Sequence, residues 1–393
     1  MPAANDAALP QPSLAARQHS AQVTAEIVAE VEASDDYISF ERFMTLALYA
    51  PALGYYSSGS HKLGRGGDFT TAPEISPLFS QALARQAAEV LQQLGGGDIL
   101  EFGGGSGVMA AEILLELERL QQLPQRYLLL EVSADLQQRQ RQRLEQSCPH
   151  LRSRVEWLEQ LPSPGFRGVV LANELLDALP FSRIYQLRDG WIELGVEVME
   201  GTLWEAARLL TPDEPLSVAI NNIAALQQLP SGYSTEISLQ AADWVRTLPT
   251  FIDRATILII DYGFPQAEFY HPQRSSGTMM CHYQHRAHSD PFFYPGLQDI
   301  TAHVDFTAVA DAALEVGMEV RGFTPQGQFL LGAGIVEHLS ASLSPQQQMA
   351  QNHALKLLTL PAEMGELFKV MALGCHHPFT PSAFSLLDHR HRL

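Results

Sequence analysis

Five predominantly apolar runs recur through the middle of the chain, at Ile99 to Phe102, Tyr127 to Val132, Val155 to Leu158, Gly168 to Ala172 and Thr256 to Tyr262. Runs without polar alternation belong to strands covered on both faces, so they predict a mostly parallel sheet. Helical spacing fills the early gaps, at Val108 to about Leu120 and Ala134 to Gln146, which makes the chain α/β and doubly wound. Upstream, Ile27, Val28 and Val31 form one helical stripe and Phe40, Phe43, Met44 and Leu46 to Leu48 another, stopped by Pro51 and Gly54. A Gly-rich stretch, Ser57 to Thr71, then leads into a helix with Pro73 near its first turn, reaching about Leu94.

The segment Phe181 to Arg254 opens with alternation about Asp189-Gly190, which predicts a hairpin, and Glu236 to Leu248 predicts a helix. Phe264 to Asp305 is a second insertion, rich in His, Pro, Tyr and Phe. Glu319 to Thr324 and Gln328 to Glu337 are expected to close the sheet as an antiparallel hairpin, followed by helix and a His-rich tail. With about 150 residues per domain as a guide, the chain holds two or three units, or one core with insertions. The expected organisation is a disordered lead over 1–20, an N-terminal helical lid over 21–94, and a core of 95–180 and 251–337 carrying the insertion 264–305. An inserted subdomain spans 181–250, on the substrate side, and a C-terminal helical region spans 338–393.

The first apolar run ends in an acid and opens at once into glycines: Asp98-Ile-Leu-Glu-Phe-Gly-Gly-Gly-Ser-Gly107. Such a turn lets backbone approach a ligand closely where a helix begins. Gly103, Gly105 and Gly107 read G-x-G-x-G. The dinucleotide fingerprint would want Gly or Ala where Val108 stands, and a Walker A loop would want a lysine. No Lys or Arg occurs between Gln86 and Glu118, and Glu101 precedes the loop. An acid without positive neighbours suits a cationic ligand, and S-adenosylmethionine carries both a sulfonium and an ammonium. Glu131, ending the second strand, can accept both ribose hydroxyls. The competing reading is an ordinary strand-to-helix turn; the strand context and Glu131 favour the cofactor.

The formal charge of −19, from 25 basic and 44 acidic residues, would repel phosphate backbones and argues against nucleic acid as partner. A soluble protein kept monodisperse by negative charge explains the same imbalance. Cys148, Cys281 and Cys375 are far apart and form no C-x-x-C, so neither a disulfide framework nor a cysteine zinc site is expected, and a reducing cytoplasm is the expected home. The first twenty residues lack the apolar core of a signal peptide, and no run approaches the ~18 apolar residues of a membrane span, so no membrane insertion is expected.

Leu171-Ala-Asn-Glu-Leu-Leu-Asp-Ala-Leu-Pro180 follows the fourth strand. Ligands of open α/β sheets bind beyond the carboxyl ends of the strands, so Asn173 is placed beside the donor and Glu174 and Asp177 where a methyl acceptor would meet it. If a helical turn begins here, the two carboxylates are i, i+3 neighbours able to grip a guanidinium and help take its proton. A helix start enriched in acids by the macrodipole is the alternative. Gly66 to Glu74, with Asp68, Thr70 and Thr71, reads either as a lid over the cofactor or as a capped turn. His282, His285 and His288 stand at spacings of three beside Cys281, but Arg286 interrupts them, Pro291 follows and only one cysteine is offered, so no metal is assigned. His285 and His303 are assigned to the substrate pocket; Asp299, His303 and Asp305 form a polar wall or else an N-capped helix start. No G-x-S-x-G elbow supports hydrolase chemistry.

These residues together resemble the MidA-type methyltransferases, bacterial relatives of a mitochondrial arginine methyltransferase that assists assembly of respiratory complex I. The likeness spans about residues 36 to 375. It rests on Ile38-Ser-Phe-Glu-Arg-Phe-Met to Gly54-Tyr-Tyr, Gly67-Asp-Phe-Thr-Thr-Ala-Pro-Glu-Ile-Ser, Glu101-Phe-Gly-Gly-Gly-Ser-Gly, Leu130-Glu-Val-Ser and Ala172-Asn-Glu-Leu-Leu-Asp-Ala-Leu-Pro. Ile260-Asp-Tyr-Gly-Phe, Gly277-Thr-Met, His285-Arg286, Asp299-Ile-Thr-Ala-His-Val-Asp-Phe and Met364-Gly-Glu-Leu-Phe-Lys continue it in order. The glycine loop departs from relatives that often read Gly-Pro-Gly or Gly-Ala-Gly. The resemblance implies a class I, Rossmann-like fold dependent on S-adenosyl-L-methionine, puts Asp68, Thr70 and Thr71 in the cofactor pocket, and makes a protein arginine the leading acceptor. A respiratory complex subunit is then one candidate substrate. Methylation of a small molecule or another side chain, and a cofactor-binding assembly chaperone, are the other functions the residues allow.

Overall fold

The computed structural model describes residues 9–58, 71–340 and 342–393. They cluster into two compact units. The described residues of 1–69, with 177–241 and 266–304, make the first; those of 70–176, 242–265 and 305–393 make the second.

The second unit carries the glycine loop on a large sheet. Its principal strands are β1 (Asp98–Phe102), β2 (Tyr127–Leu130), β3 (Val155–Leu158), β4 (Phe166–Asn173), β5 (Ile252–Phe264), β6 (Glu319–Pro325) and β7 (Phe368–Cys375), in the spatial order β3-β2-β1-β4-β5-β7-β6. The first five run parallel, and β7 lies antiparallel to both its neighbours. This is the Rossmann-like class I arrangement that the resemblance implies. The order reverses between β1 and β4, which opens a crevice at the carboxyl ends of those strands.

All five residues of β1 are buried, the apolar Ile99, Leu100 and Phe102 together with Asp98 and Glu101. The helices α1 (Pro77–Leu94), α2 (Val108–Arg119) and α3 (Ala134–Ser147) flank the sheet. Leu83 and Leu91 of α1 and Ile113, Leu114 and Leu117 of α2 join Ile99, Leu129, Leu171, Leu258 and Val370 in one core. Each such side chain contributes roughly 1.5–3 kcal/mol on burial. Ser76 Oγ caps the start of α1 by accepting from Leu78 N, and Gly95, at φ 72°, ends it.

Four expectations are corrected here. The closing hairpin is not formed by 319–324 and 328–337: Gln326–Gly332 is helical, and β6 pairs instead with β7. The C-terminal region is therefore not wholly helical, because its Phe368–Cys375 segment is the strand between β5 and β6. Pro77 and the extended Ser76 break the helix expected from Thr71 to Leu94 into Ala72–Ile75 and α1. Residues 14–20, assigned to a disordered lead, begin a helix at Leu14 that is capped by Ser13.

The first unit holds the helices Leu14–Ala33 and Phe40–Tyr49 and the strands Ser182–Leu187, Gly190–Met199, Thr202–Leu209 and Ser234–Ile237. The expected hairpin forms, with Leu187 paired to Gly190, so its two-residue turn is Arg188-Asp189 rather than Asp189-Gly190. Glu236 lies in a strand rather than a helix, and the following helix starts at Leu239. Val23, Ile27 and Val31 pack with Phe40, Phe43, Met44, Phe181 and Cys281. A small antiparallel sheet of Met280–Tyr283, Arg286–His288 and Asp299–Thr301 organises the second insertion.

Candidate functional site

In the second unit, β1 passes through Gly103, Gly105 and Gly107 into α2, all three glycines having positive φ (65°, 51° and 81°). Gly107 shows why a side chain is excluded: an added Cβ would lie 2.9 Å from Gln140 Cα. It is also the N-cap of α2 and offers no side chain to the first amides, so that positive end of the helix is left to a ligand. Ser106 Oγ donates to Glu74 Oε1, tying the loop to the Ala72–Ile75 turn. Thr71 is the N-cap residue of that turn and makes no side-chain cap bond. Asp68 and Thr70, with most of the expected lid, lie outside the described residues.

Glu131 is buried at the end of β2; its Oε1 accepts from Ser133 N at 3.0 Å and its Oε2 from Gln140 Nε2 at 3.1 Å. Glu101 lies buried in β1 and accepts from Tyr127 Oη at 2.5 Å. Burial pushes the Glu101 carboxyl up to about 7; the Tyr127 hydroxyl opposes the rise and the nearby Glu131 charge adds to it. The acid before the loop is therefore only partly ionised at neutral pH, a tempering of the full charge read from sequence.

At the carboxyl end of β4 the chain does not enter a helix. Glu174 adopts φ 49°, a left-handed conformation outside the right-handed helical region, so the helical turn expected from Glu174 onward does not form. The turn is instead held from β5. Glu174 N donates to Ile260 O at 2.8 Å, and Leu176 N donates to Asp261 Oδ2 at 2.9 Å. Asp261 Oδ1 accepts from Tyr262 N at 2.9 Å, and its side chain is fully buried. Asn173 Nδ2 donates to Glu174 Oε1 at 3.2 Å, while Asn173 Oδ1 is buried without a partner among the described residues. A Cβ at Gly103 would stand 3.8 Å from Leu175 Cδ1, which brings the turn beside the glycine loop.

In the first unit, the Asp177 carbonyl accepts from Ala302 N at 3.2 Å and the Ala178 carbonyl from Tyr49 Oη at 2.8 Å. Tyr56 Oη donates to Asp299 Oδ1 at 2.7 Å; burial, with the Asp299 charge beside it, pushes that phenol well above its usual range. Glu236 is buried and accepts from Thr278 N, Thr278 Oγ1 and Met279 N at 2.9, 3.0 and 3.2 Å, which explains the Gly277-Thr-Met motif as a backbone clasp. His303 follows the Asp299–Thr301 strand, its backbone N donating to Thr278 Oγ1 at 3.0 Å. His285 sits exposed at the tip of a two-residue hairpin, with φ 60°. Asp305 caps the helix Phe306–Glu315 through Thr307 N and Ala308 N, the capping alternative read from sequence. Among the described residues no group of His, Cys, Asp and Glu could hold a metal.

A cavity of about 690 Å³ near the far end of α2 is lined by Arg85, Glu116, Arg119, Glu337 and His338. Its arginines are each neutralised, Arg85 by Glu337 and Arg119 by Glu116 at 2.6 Å, so it offers no net charge to a cationic donor. Sequence reading missed Gln140, Asp261 and Glu236. Only Asp261 had a signal, an acid at the end of an apolar strand.

The profile of the S-adenosyl-L-methionine-dependent methyltransferase family Methyltransf_28 matches residues 82–324. The protein arginine methyltransferase NDUFAF7 homolog, mitochondrial, of Drosophila melanogaster is 30% identical over 369 residues, covering 86% of this chain and 81% of its own. Its Danio rerio counterpart, protein arginine methyltransferase NDUFAF7, is 29% identical, covering 86% and 83%. A crystal structure from Burkholderia thailandensis, bound to S-adenosyl-homocysteine, is 41% identical and superposes with a TM-score of 0.93 over 98% of this chain and 100% of that one.

Proposed function

Because the chain belongs to the S-adenosyl-L-methionine-dependent methyltransferase family matched over residues 82–324, we propose that its methyl acceptor is a guanidinium nitrogen of a protein arginine. The mitochondrial relatives at about 30% identity carry that activity in their names. The observation that carries the proposal is the placement of Glu174: a carboxylate in a strained left-handed conformation, fixed by β5, on the turn beside the glycine loop.

The residues of the cradle fit the donor. Three glycines stand in positive φ, with Gly103 exposed and Gly105 half-buried, the first amides of α2 lack a side-chain cap, and Asn173 Oδ1 is an acceptor without a partner among the described residues. When bound there, the donor supplies an activated methyl group on a sulfonium. Gly103, Gly105 and Gly107 present backbone to it, and Glu131 accepts its ribose hydroxyls. Glu174 orients the guanidinium plane and favours departure of the proton as the nitrogen is alkylated. Three buried free cysteines suit a reducing compartment, and cytoplasmic location is part of the proposal.

The test is incubation of the purified protein with labelled S-adenosylmethionine and host lysate, then mass spectrometry of the labelled products. Label on arginine of a protein supports the reading. With the substrate in hand, Glu174→Gln should cut single-turnover transfer by about a hundredfold while S-adenosylhomocysteine still binds. Label confined to small molecules or to other side chains, or no label above background, would overturn it.

A further inference from the structure

Gln140, on α3, is a fully buried amide whose polar atoms all find protein partners. Its Nε2 donates to Gly105 O at 3.0 Å and to Glu131 Oε2 at 3.1 Å, and its Oε1 accepts from Trp157 Nε1 at 2.8 Å. An indole N–H can only donate, so Trp157 settles which end of the amide faces the glycine loop. The Trp157 ring is itself fixed, with the Arg141 and Arg152 guanidinium carbons 4.6 and 4.4 Å from its centroid. Backbone contact is equally close, since a Cβ at Gly107 would meet Gln140 Cα.

We propose that Gln140 is a positioning residue for the cofactor. One amide nitrogen bridges the Gly105 peptide and the Glu131 carboxylate, so the loop and the ribose acceptor are held in a fixed mutual geometry before the ligand arrives. Two donors on one nitrogen serve a peptide oxygen and an anion together, which neither a carboxylate nor an aliphatic side chain can do. The proposal rests on the reading of Glu131 as the ribose acceptor.

The experiment measures affinity of the full chain by calorimetry for two probes, S-adenosylhomocysteine and its analogue lacking the ribose 2′-hydroxyl. Gln140→Leu should weaken the first by roughly tenfold to a hundredfold, the scale of a lost hydrogen bond to a charged group, and the second much less. Gln140→Glu places a second carboxylate beside Glu131, so its affinity should fall relative to that of the wild type as pH rises from about 6 to about 8. Trp157→Phe keeps an aromatic ring while removing the N–H donor along with the second ring of the indole, and should weaken the first probe about threefold or more, which keeps the test open if Gln140→Leu does not fold. A folded Gln140→Leu that binds S-adenosylhomocysteine as the wild type does, or loses both probes equally, overturns the proposal. Glu131→Gln separates the premise: if it too weakens both probes equally, the ribose assignment falls and the proposal with it; if it weakens S-adenosylhomocysteine more than the analogue and Gln140→Leu does not, only the role of Gln140 falls.

Discussion

Gly107 and Glu101 show how single residues set the properties of the cradle. At Gly107 the backbone stands at φ 81° with no space for a Cβ against the backbone of α3. Gly107→Ala must therefore shift either the loop or α3, and S-adenosylhomocysteine affinity should fall at least about tenfold by calorimetry. Unchanged affinity in the folded variant would remove the loop from the site. Glu101 controls pH dependence instead. Its folded-state carboxyl titrates near 7, above its ordinary 4.5, so the folded chain holds a proton there that the unfolded chain releases. Stability from this group is complete below about 4.5 and is lost as pH rises to about 7. Burial raises Glu236 in the same direction. Urea denaturation at about pH 5 and pH 8 should show the wild type less stable at the higher pH, with the difference reduced in Glu101→Gln. A slope unaltered by that substitution would refute the assignment.

At the scale of elements, the turn after β4 is a product of two strands. Its sequence carries Glu174, but its shape depends on Ile260 O and the Asp261 carboxylate at the end of β5, nearly ninety positions later. Removing that carboxylate leaves Leu176 N and Tyr262 N without their acceptor. In Asp261→Ala we expect methyl transfer to drop about tenfold or more while S-adenosylhomocysteine affinity stays within about threefold, because the glycine loop and Glu131 belong to other elements. Equal losses in turnover and affinity would show that Asp261 supports the whole cradle rather than the turn. The Gly277-Thr-Met clasp follows the same logic in the first unit, where buried Glu236 replaces the backbone partners that an irregular segment lacks.

For the whole molecule, the decisive element is β7. It lies between β5 and β6 and pairs along both edges, from Ala255↔Cys375 to Tyr262↔Phe368 on one side and from Glu319↔Gly374 to Pro325↔Lys369 on the other. All eight of its residues are buried. A chain ending before Phe368 would expose the edge of β5 and leave β6 without a partner. Such a truncation should show no cooperative thermal unfolding and no cofactor binding, despite retaining the entire glycine loop and Glu131. A folded, binding-competent truncation would contradict the central placement of β7.

The parallel half of the sheet, the turn of the glycine loop and the position of Glu131 after β2 were legible in the sequence, because apolar runs and clustered glycines express their structural role over a few adjacent positions. The hairpin was legible to within one residue of its turn for the same reason: turn and alternation are local. Tertiary structure alone decided the partner of β6, since Phe368–Cys375 and Gln328–Glu337 are both apolar and only long-range pairing chooses between them. It alone turned Glu174 into a left-handed residue against the helical reading, because the bonds that fix it come from β5. Gln140 left no trace in the pattern, standing in a helix full of glutamines until burial against Gly105, Glu131 and Trp157 set it apart. Local propensity and spacing specify elements; which buried polar group meets which partner is fixed only when those elements pack and water is excluded.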